Sequence, residues 1–294
     1  MTELQVTLAR SSSLISGEAL DIPRSATIRF HPAPPDTGFV FVRTDLPGAP
    51  EVACLPENVQ DQPRWTSLAV GDVCVHHTEH VLAAAMGLGL DNLRMELTSD
   101  RVPVTDGGSA GSFVEALATA GRLPQGEVRE VYRMRESLVV QAPLDGGRSI
   151  RAVSDTRVRA LVCVPSDRFG AQYVFQALQG RRELVGTAEW DGTPESFVGP
   201  LSGARSYYLE SETEQIRGLL NPLLNRFVKL GPRSSQRLVT EAARHKLVDF
   251  LGDLAMLGRR IQGRFVAIRS GHALHRDLVR KLVAVGLLER VRLE

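Results

Sequence analysis

Cysteine is scarce in this sequence and shows no pairing pattern. Cys54, Cys74 and Cys163 are its only three cysteines among 294 residues. An odd and low count argues against a disulfide framework and indicates a reducing compartment. The N-terminus also lacks a basic leader followed by an apolar run, which argues against a signal peptide. We therefore expect the protein to be cytoplasmic.

Long hydrophobic runs and an excess of charge of one sign are also missing. No stretch of about 18 apolar residues occurs, so the sequence predicts no transmembrane helix. The 35 basic and 34 acidic side chains nearly cancel, so no global field draws the chain to nucleic acid or to a membrane surface. What is there is an ordinary globular composition, 43% hydrophobic, in a chain long enough for two domains.

The hydrophobic pattern predicts strands mixed with helices in both halves of the chain. In the first half, alternation predicts strands in "ATIRFHPA", "FVFVRTDL", "DVCVHH" and "LRMELT", and helices follow in "TEHVLAAAMGLG", with Thr78 as N-cap, and "SFVEALATAG". The second half has predicted strands near 136–142, 149–153, 157–164 and in "GRFVAIRSGH", and predicted helices in "TPESFVGPL", near 236–257 and in "HRDLVRKLVAVGLL".

A polar segment with proline and glycine, "RLPQGEVRE", separates the two halves and predicts a domain boundary. We therefore expect domains over residues 1–126 and 127–294. Each half carries a histidine on its main helix. This pattern predicts a duplicated α+β unit, with a site between the halves.

The predicted helix "RHKLVDFLGDL" carries three polar side chains beside an apolar stripe. His245 and Asp249 are four residues apart, so they can share one ligand. A histidine with a carboxylate is the start of a zinc site, which needs a third protein ligand. Asp253, one turn further, is better spaced to orient a ligand or a base. The alternative is a His–Asp pair that only supports a surface helix.

The third ligand can come from "HHTEH", where Glu79 and His80 open the first long helix. A glutamate beside a metal ligand is well placed to take a proton from water. The alternative for Glu79 is a purely structural role, because the helix dipole favours an acidic residue in the first turn. A rival local metal site would combine Cys74, His76, His77 and His80, but it requires the strand to bend. In "SGHALH", a histidine after glycine can act as an acid or oxyanion partner, and His275 is expected on the exposed start of the last helix.

Four ordered motifs, "TEHVLAAAMGLGLDN", "VPVTDGGSAGSF", "ARHKLVDFLGDLAML" and "SGHALH", resemble the zinc-dependent UDP-3-O-acyl-N-acetylglucosamine deacetylases of lipid A biosynthesis. The resemblance covers roughly residues 5 to 285. It implies two similar α+β domains, each a small, mostly antiparallel sheet layered with helices, with the active site between them. It also implies His80, His245 and Asp249 as zinc ligands; iron(II) suits the same donors.

The remaining site residues follow from the same resemblance. Glu79 would be the general base, and His272 the acid or oxyanion partner, oriented by Asp253. Lys246 would contact the substrate. Ser206 would stand where the family has a threonine that assists at the oxyanion. The implied reaction is removal of an N-acetyl group from an acylated, nucleotide-linked amino sugar, a small-molecule substrate.

The departures from the family cluster on substrate recognition. Ile15 replaces a histidine, "HHT" precedes Glu-His where the family has Ser-Thr-Val, and residues 207–235 replace a glycine-rich strand–helix–strand insert that forms the acyl-chain passage. Two hypotheses therefore stay open: an enzyme of this family, on this substrate or a related N-acyl amino sugar, and a non-catalytic or regulatory metal-binding homologue of the same fold.

Overall fold

The computed structural model describes residues 2–62, 64–142, 158–220 and 223–294, and its architecture is α+β, as the sequence predicts. The strands of the first half are β1 (Leu4–Leu8), β2 (Ile15–Glu18), β3 (Ser25–Pro32), β4 (Phe39–Arg43), β5 (Glu51–Ala53), β6 (Val59–Gln60), β7 (Ser67–Val70), β8 (Val73–His76), β9 (Leu93–Leu97) and β10 (Arg122–Val128). Two helices lie among them, α1 (Glu79–Gly87) and α2 (Gly111–Ala120).

The second half continues the mixture. Its strands are β11 (Glu130–Met134), β12 (Leu138–Gln141), β13 (Ala160–Val164), β14 (Phe169–Gln179), β15 (Arg182–Trp190), β16 (Tyr207–Leu209), β17 (Val228–Leu230), β18 (Ile261–Ile268) and β19 (Leu288–Arg292). Its helices are α3 (Pro194–Val198), α4 (Thr213–Leu220), α5 (Gln236–Leu254) and α6 (His272–Ala284). No helix in the described ranges is both long and apolar enough to span a membrane.

The strands form small sheets that are mostly antiparallel. In the first half, one sheet has the order β2-β3-β9-β4-β5, a second is β6-β7-β8, and β1 pairs with β10. Only β4 and β9 pair in parallel there, among the residues described. The alternation that predicts β3 is visible in its burial, because Ala26, Ile28 and Phe30 all face the core.

In the second half, β18 is the central strand of a seven-stranded sheet and pairs with β11, β13 and β14. The long β14–β15 hairpin was not predicted from the sequence, although its buried positions alternate. The predicted strand at 149–153 lies outside the described residues. Residues 207–220 and 223–230 include β16, α4 and β17 in turn, and the two strands pair in parallel. A strand–helix–strand unit therefore stands where the sequence suggested a replacement of one.

Helices α1 and α5 pack against each other and bring the two halves of the chain together. Every residue of α1 except His80 is buried, so this helix lies in the core rather than exposing a polar face. Thr78 holds the N-cap position of α1, but its side chain makes no cap hydrogen bond; its hydroxyl donates instead to the Thr66 carbonyl at 3.4 Å. The predicted N-cap position of Thr78 is therefore confirmed, without a side-chain cap hydrogen bond.

Candidate metal centre

Three side chains from the two packed helices converge at the start of α1. His80 Nε2 lies 3.1 Å from Asp249 Oδ1, and His245 Nε2 lies 3.6 Å from the same oxygen. The two imidazole rings are 4.9 Å apart between centroids. One possible donor atom from each residue lies within 4.8 Å of the other two. Two imidazoles and one carboxylate at these distances fit a single divalent metal ion.

The hydrogen bonds of His245 leave one ring nitrogen suited to a metal. Its Nδ1 lies 3.1 Å from the Ala204 carbonyl, an acceptor, so Nδ1 carries the proton and Nε2 keeps its lone pair. Burial lowers the pKa of His245 to about 4, against the opposing charge of Asp249, and this keeps the imidazole neutral. Ser206 Oγ lies 3.3 Å from Nε2, at the same side of the ring.

Asp249 is buried and stays ionised because cations surround it. Burial alone would raise its pKa, but Lys246 and the neighbouring imidazoles hold the pKa well below its usual range. Lys246 Nζ lies 2.6 Å from Asp249 Oδ2. The lysine that the resemblance assigns to the substrate therefore makes an ion pair with a proposed ligand in this structure.

Glu79 lies at the same end of α1 and is also buried. Its Oε2 accepts a hydrogen bond from the Thr66 backbone N–H at 3.0 Å, which fixes the direction of the carboxylate. Glu79, His80 and Ser206 line one cleft, together with apolar side chains that include Phe113 and Phe227. A carboxylate that faces a cleft beside two imidazoles can receive a proton from a molecule bound there.

Asp253 is fully buried and holds two histidines. Its Oδ2 lies 2.8 Å from His272 Nδ1 and 2.6 Å from His275 Nδ1, and its Oδ1 accepts from the Thr66 hydroxyl. The opposite nitrogen of His272, Nε2, lies 3.7 Å from Asp249 Oδ2. Burial opposes a charge on His272, but Asp253 outweighs it and raises the pKa of the imidazole.

Two residues of this network were not found from the sequence. Thr66 is buried and connects Glu79 to Asp253, and nothing in its short strand-like context singled it out. His275, expected at an exposed position, is buried instead, so that expectation is wrong. The missed signal was its spacing: α6 begins at His272, so His275 lies one turn later on the same face.

The donor set and its position between two chain halves define a class, a protein that can hold one catalytic metal ion. Comparison with known proteins gives the family. The sequence profile of the UDP-3-O-acyl N-acetylglycosamine deacetylases matches residues 5–284. The chain belongs to this family of metal-dependent amide hydrolases of lipid A biosynthesis.

Individual relatives agree with the profile. The UDP-3-O-acyl-N-acetylglucosamine deacetylase of Solibacter usitatus is 35% identical over 279 residues, which are 91% of this chain and 88% of that protein. The enzyme of the same name from Thioalkalivibrio sulfidiphilus is 32% identical over 92% of this chain and 86% of its own length. A bifunctional LpxC/FabZ enzyme of Chlorobaculum tepidum is 33% identical over 95% of this chain, and the match spans 64% of that longer protein.

Proposed function

We propose that this protein is a zinc-dependent deacetylase that hydrolyses the N-acetyl group of UDP-3-O-acyl-N-acetylglucosamine. The observation that carries the proposal is the convergence of His80, His245 and Asp249, within 4.8 Å of one another, beside the carboxylate of Glu79. The shared name of the relatives supports the substrate. Iron(II) accepts the same donors, so metal analysis has to accompany the assay.

Each polar residue around the centre has a role in the proposed reaction. His80, His245 and Asp249 would hold the ion. Bound there, the ion supplies Lewis acidity, which makes water more acidic and the amide carbonyl more electrophilic. Glu79 takes the proton of the attacking water, and the Thr66 N–H keeps its carboxylate in position.

The second half of the reaction falls to His272 and its neighbours. As the carbonyl carbon becomes tetrahedral, negative charge develops on its oxygen. Protonated His272 and the hydroxyl of Ser206 are the donors that face this charge. Asp253 orients His272 through the 2.8 Å contact to Nδ1. The C–N bond then breaks, the amine takes a proton from Glu79 or His272, and acetate leaves.

An apolar cleft beside the candidate metal ligands is where we place the acyl chain of the substrate. The cleft beside His80 is bordered by Leu20, Val102, Phe113 and Phe227, the last of which precedes β17 of the strand–helix–strand unit. Lys246, now paired with Asp249, would turn to the substrate on binding. We further propose a cytoplasmic location, which is supported by the three cysteines, all of them unpaired thiols.

The test is acetate release from UDP-3-O-acyl-N-acetylglucosamine by the zinc-loaded protein. Glu79→Gln is expected to lower kcat by about 10²–10⁴-fold, the usual contribution of a general base, while the protein keeps its metal. Glu115→Gln, on the exposed side of α2, is the matched control and should leave the rate unchanged. Absence of release from wild-type protein that holds its metal would refute the proposed reaction and favour the non-catalytic alternative.

A further inference from the structure

A further group of possible metal ligands lies outside the centre described above, on strand β8 and in the loop that follows β9. Possible donor atoms of Cys74, His76 and Asp100 lie within 4.8 Å of one another, and all three residues are partly exposed. Cys74 and His76 are two residues apart on β8, so their side chains leave the same face, while Val75 between them is buried in the core. The four residues of the rival local site do not form one group, because His80 contacts Asp249 and His77 contacts Asp21 at 3.2 Å.

The backbone holds the three residues of this group in place. The N–H of His76 donates to the Asp100 carbonyl at 2.8 Å, and the N–H of Val102 donates to the His76 carbonyl at 3.1 Å. Arg43 Nη1 donates to the Cys74 carbonyl at 2.7 Å. The donor atoms are therefore close because of fixed main-chain contacts, and little ordering is needed before a ligand binds.

The side chains around the group leave it suited to a cation. Ser67 Oγ lies 2.7 Å from His76 Nδ1 and orients the ring, as the partner of a metal-binding histidine does. Burial, together with Arg101 and His77, lowers the pKa of His76. Arg101 pairs with one oxygen of Asp100, Oδ2, while the other, Oδ1, has a long 3.3 Å contact with the Ser99 hydroxyl.

Charge around the group also favours a dication. Asp100 and Asp21 flank Arg101, and Asp45 makes two hydrogen bonds with Arg43, so three carboxylates face two guanidinium groups. A divalent ion that displaces the thiol proton of Cys74 forms a metal–sulfur bond and releases one proton to solvent.

We propose that Cys74, His76 and Asp100 form a second metal site, which takes a borderline-soft divalent cation such as Zn²⁺ and is separate from the His80–His245–Asp249 centre. Thiolate, imidazole and carboxylate are all zinc ligands, and three of them leave one position for water. The site goes beyond the proposed deacetylation and does not depend on it. Because β8 leads directly into α1, an ion there ties the strand before Glu79 and His80 to the loop at Asp100.

The test uses cobalt, because its spectrum separates the two sites. The full chain is stripped of metal with a chelator and titrated with Co²⁺. A thiolate ligand gives a near-ultraviolet sulfur-to-cobalt charge-transfer band, which the nitrogen and oxygen donors of the His80 centre cannot give. Wild-type protein is expected to bind two ions per chain and to show this band. Cys74→Ser should bind one ion and lose the band, and His76→Asn should weaken cobalt binding at this site about ten-fold or more.

Cys163→Ala is the matched control, since Cys163 is buried and belongs to none of the groups of possible metal ligands found among the described residues; this variant should keep the band. Circular dichroism reports whether each variant folds. If Cys74→Ser does not fold, the loss of cobalt binding in His76→Asn is the test of the site. A wild-type protein that binds one ion without the band overturns the second site, as does a band that persists in folded Cys74→Ser. Neither result bears on acetate release, so the two proposals can fail independently.

Discussion

Asp253 is a buried carboxylate whose charge is balanced by its immediate neighbours. Burial alone would raise its pKa, but His272 and His275 hold the pKa well below its usual range. His275 is kept neutral because burial lowers its pKa, so it has one N–H to give. Asp253 can only accept, so Nδ1 carries that proton, and Nε2 accepts from the Ser270 hydroxyl at 2.8 Å. His275 thus positions Asp253, which positions His272.

Replacement of His275 tests this chain of contacts. His275→Gln leaves Asp253 with one fewer well-placed donor, and we expect kcat to fall about 10-fold or more while KM changes little. The free energy of unfolding should drop by about 1–3 kcal/mol, because a buried acceptor loses its partner. Steady-state kinetics and urea unfolding measure the two effects. His31→Gln, a more exposed histidine on β3, is the control; equal losses of kcat in both variants would contradict the positioning role.

Helices α1 and α5 lie close enough that one glycine decides their separation. A Cβ built on Gly252 would be 1.9 Å from the carbonyl oxygen of Glu79, which is backbone and cannot turn away. Gly252 lies between Asp249 and Asp253, so the contact fixes the distance from the α5 carboxylates to Glu79 and His80. The helix contact thereby sets the spacing of the candidate metal ligands.

Gly252→Ala should force the two helices apart. We expect a loss of about 1–3 kcal/mol in the free energy of unfolding from overpacking, together with weaker metal binding, because the ligands of α1 and α5 separate. Thermal unfolding and a competitive metal titration measure these changes. The control is Gly126→Ala in exposed β10, where a Cβ would meet nothing within 4 Å. If Gly252→Ala binds metal as tightly as this control, the helix spacing does not govern the site.

At the scale of the whole molecule, strand pairing divides the chain into two parts between β10 and β11. In the described residues, strands up to β10 pair only with one another, as do strands from β11 onward. We propose on this basis that the chain comprises the two domains 1–126 and 127–294, although residues 127 and 128 still belong to β10. The candidate ligands then come from both domains, His80 from the first and His245 with Asp249 from the second.

An ion shared between the two halves should stabilise the whole chain. Zinc at about 100 times its dissociation constant adds about 2.7 kcal/mol to the free energy of unfolding, since the unfolded chain cannot bring α1 and α5 together. The measurement is Tm with zinc and with chelator, in a Cys74→Ser background that removes the second proposed site. Adding His80→Ala should abolish the zinc-dependent rise in Tm; a rise that remains would mean that the ion binds within the second half alone.

Local sequence patterns were enough to predict part of the fold and part of the candidate site. The period of α5 put His245, Asp249 and Asp253 along one line of a helix, and the ordered motifs were specific enough to indicate the family. Alternation found β3 and β4; the burial of β3 follows the alternation, whereas four consecutive residues of β4 are buried. The same approach missed the β14–β15 hairpin, although its buried positions alternate, and it misjudged His275, whose burial depends on the side chains that pack around it.

By itself the sequence determined the α+β class, the helix that carries two candidate ligands, and the chemistry of the residue types, because these depend on periodicity and side-chain donors within a short segment. The tertiary structure alone decided that Thr66 joins Glu79 to Asp253 and that Asp100 approaches Cys74 and His76. Those contacts join residues that are far apart in the sequence, by up to 187 positions, and that lie on different elements or loops. Their distances are set by helix packing and strand pairing rather than by local spacing.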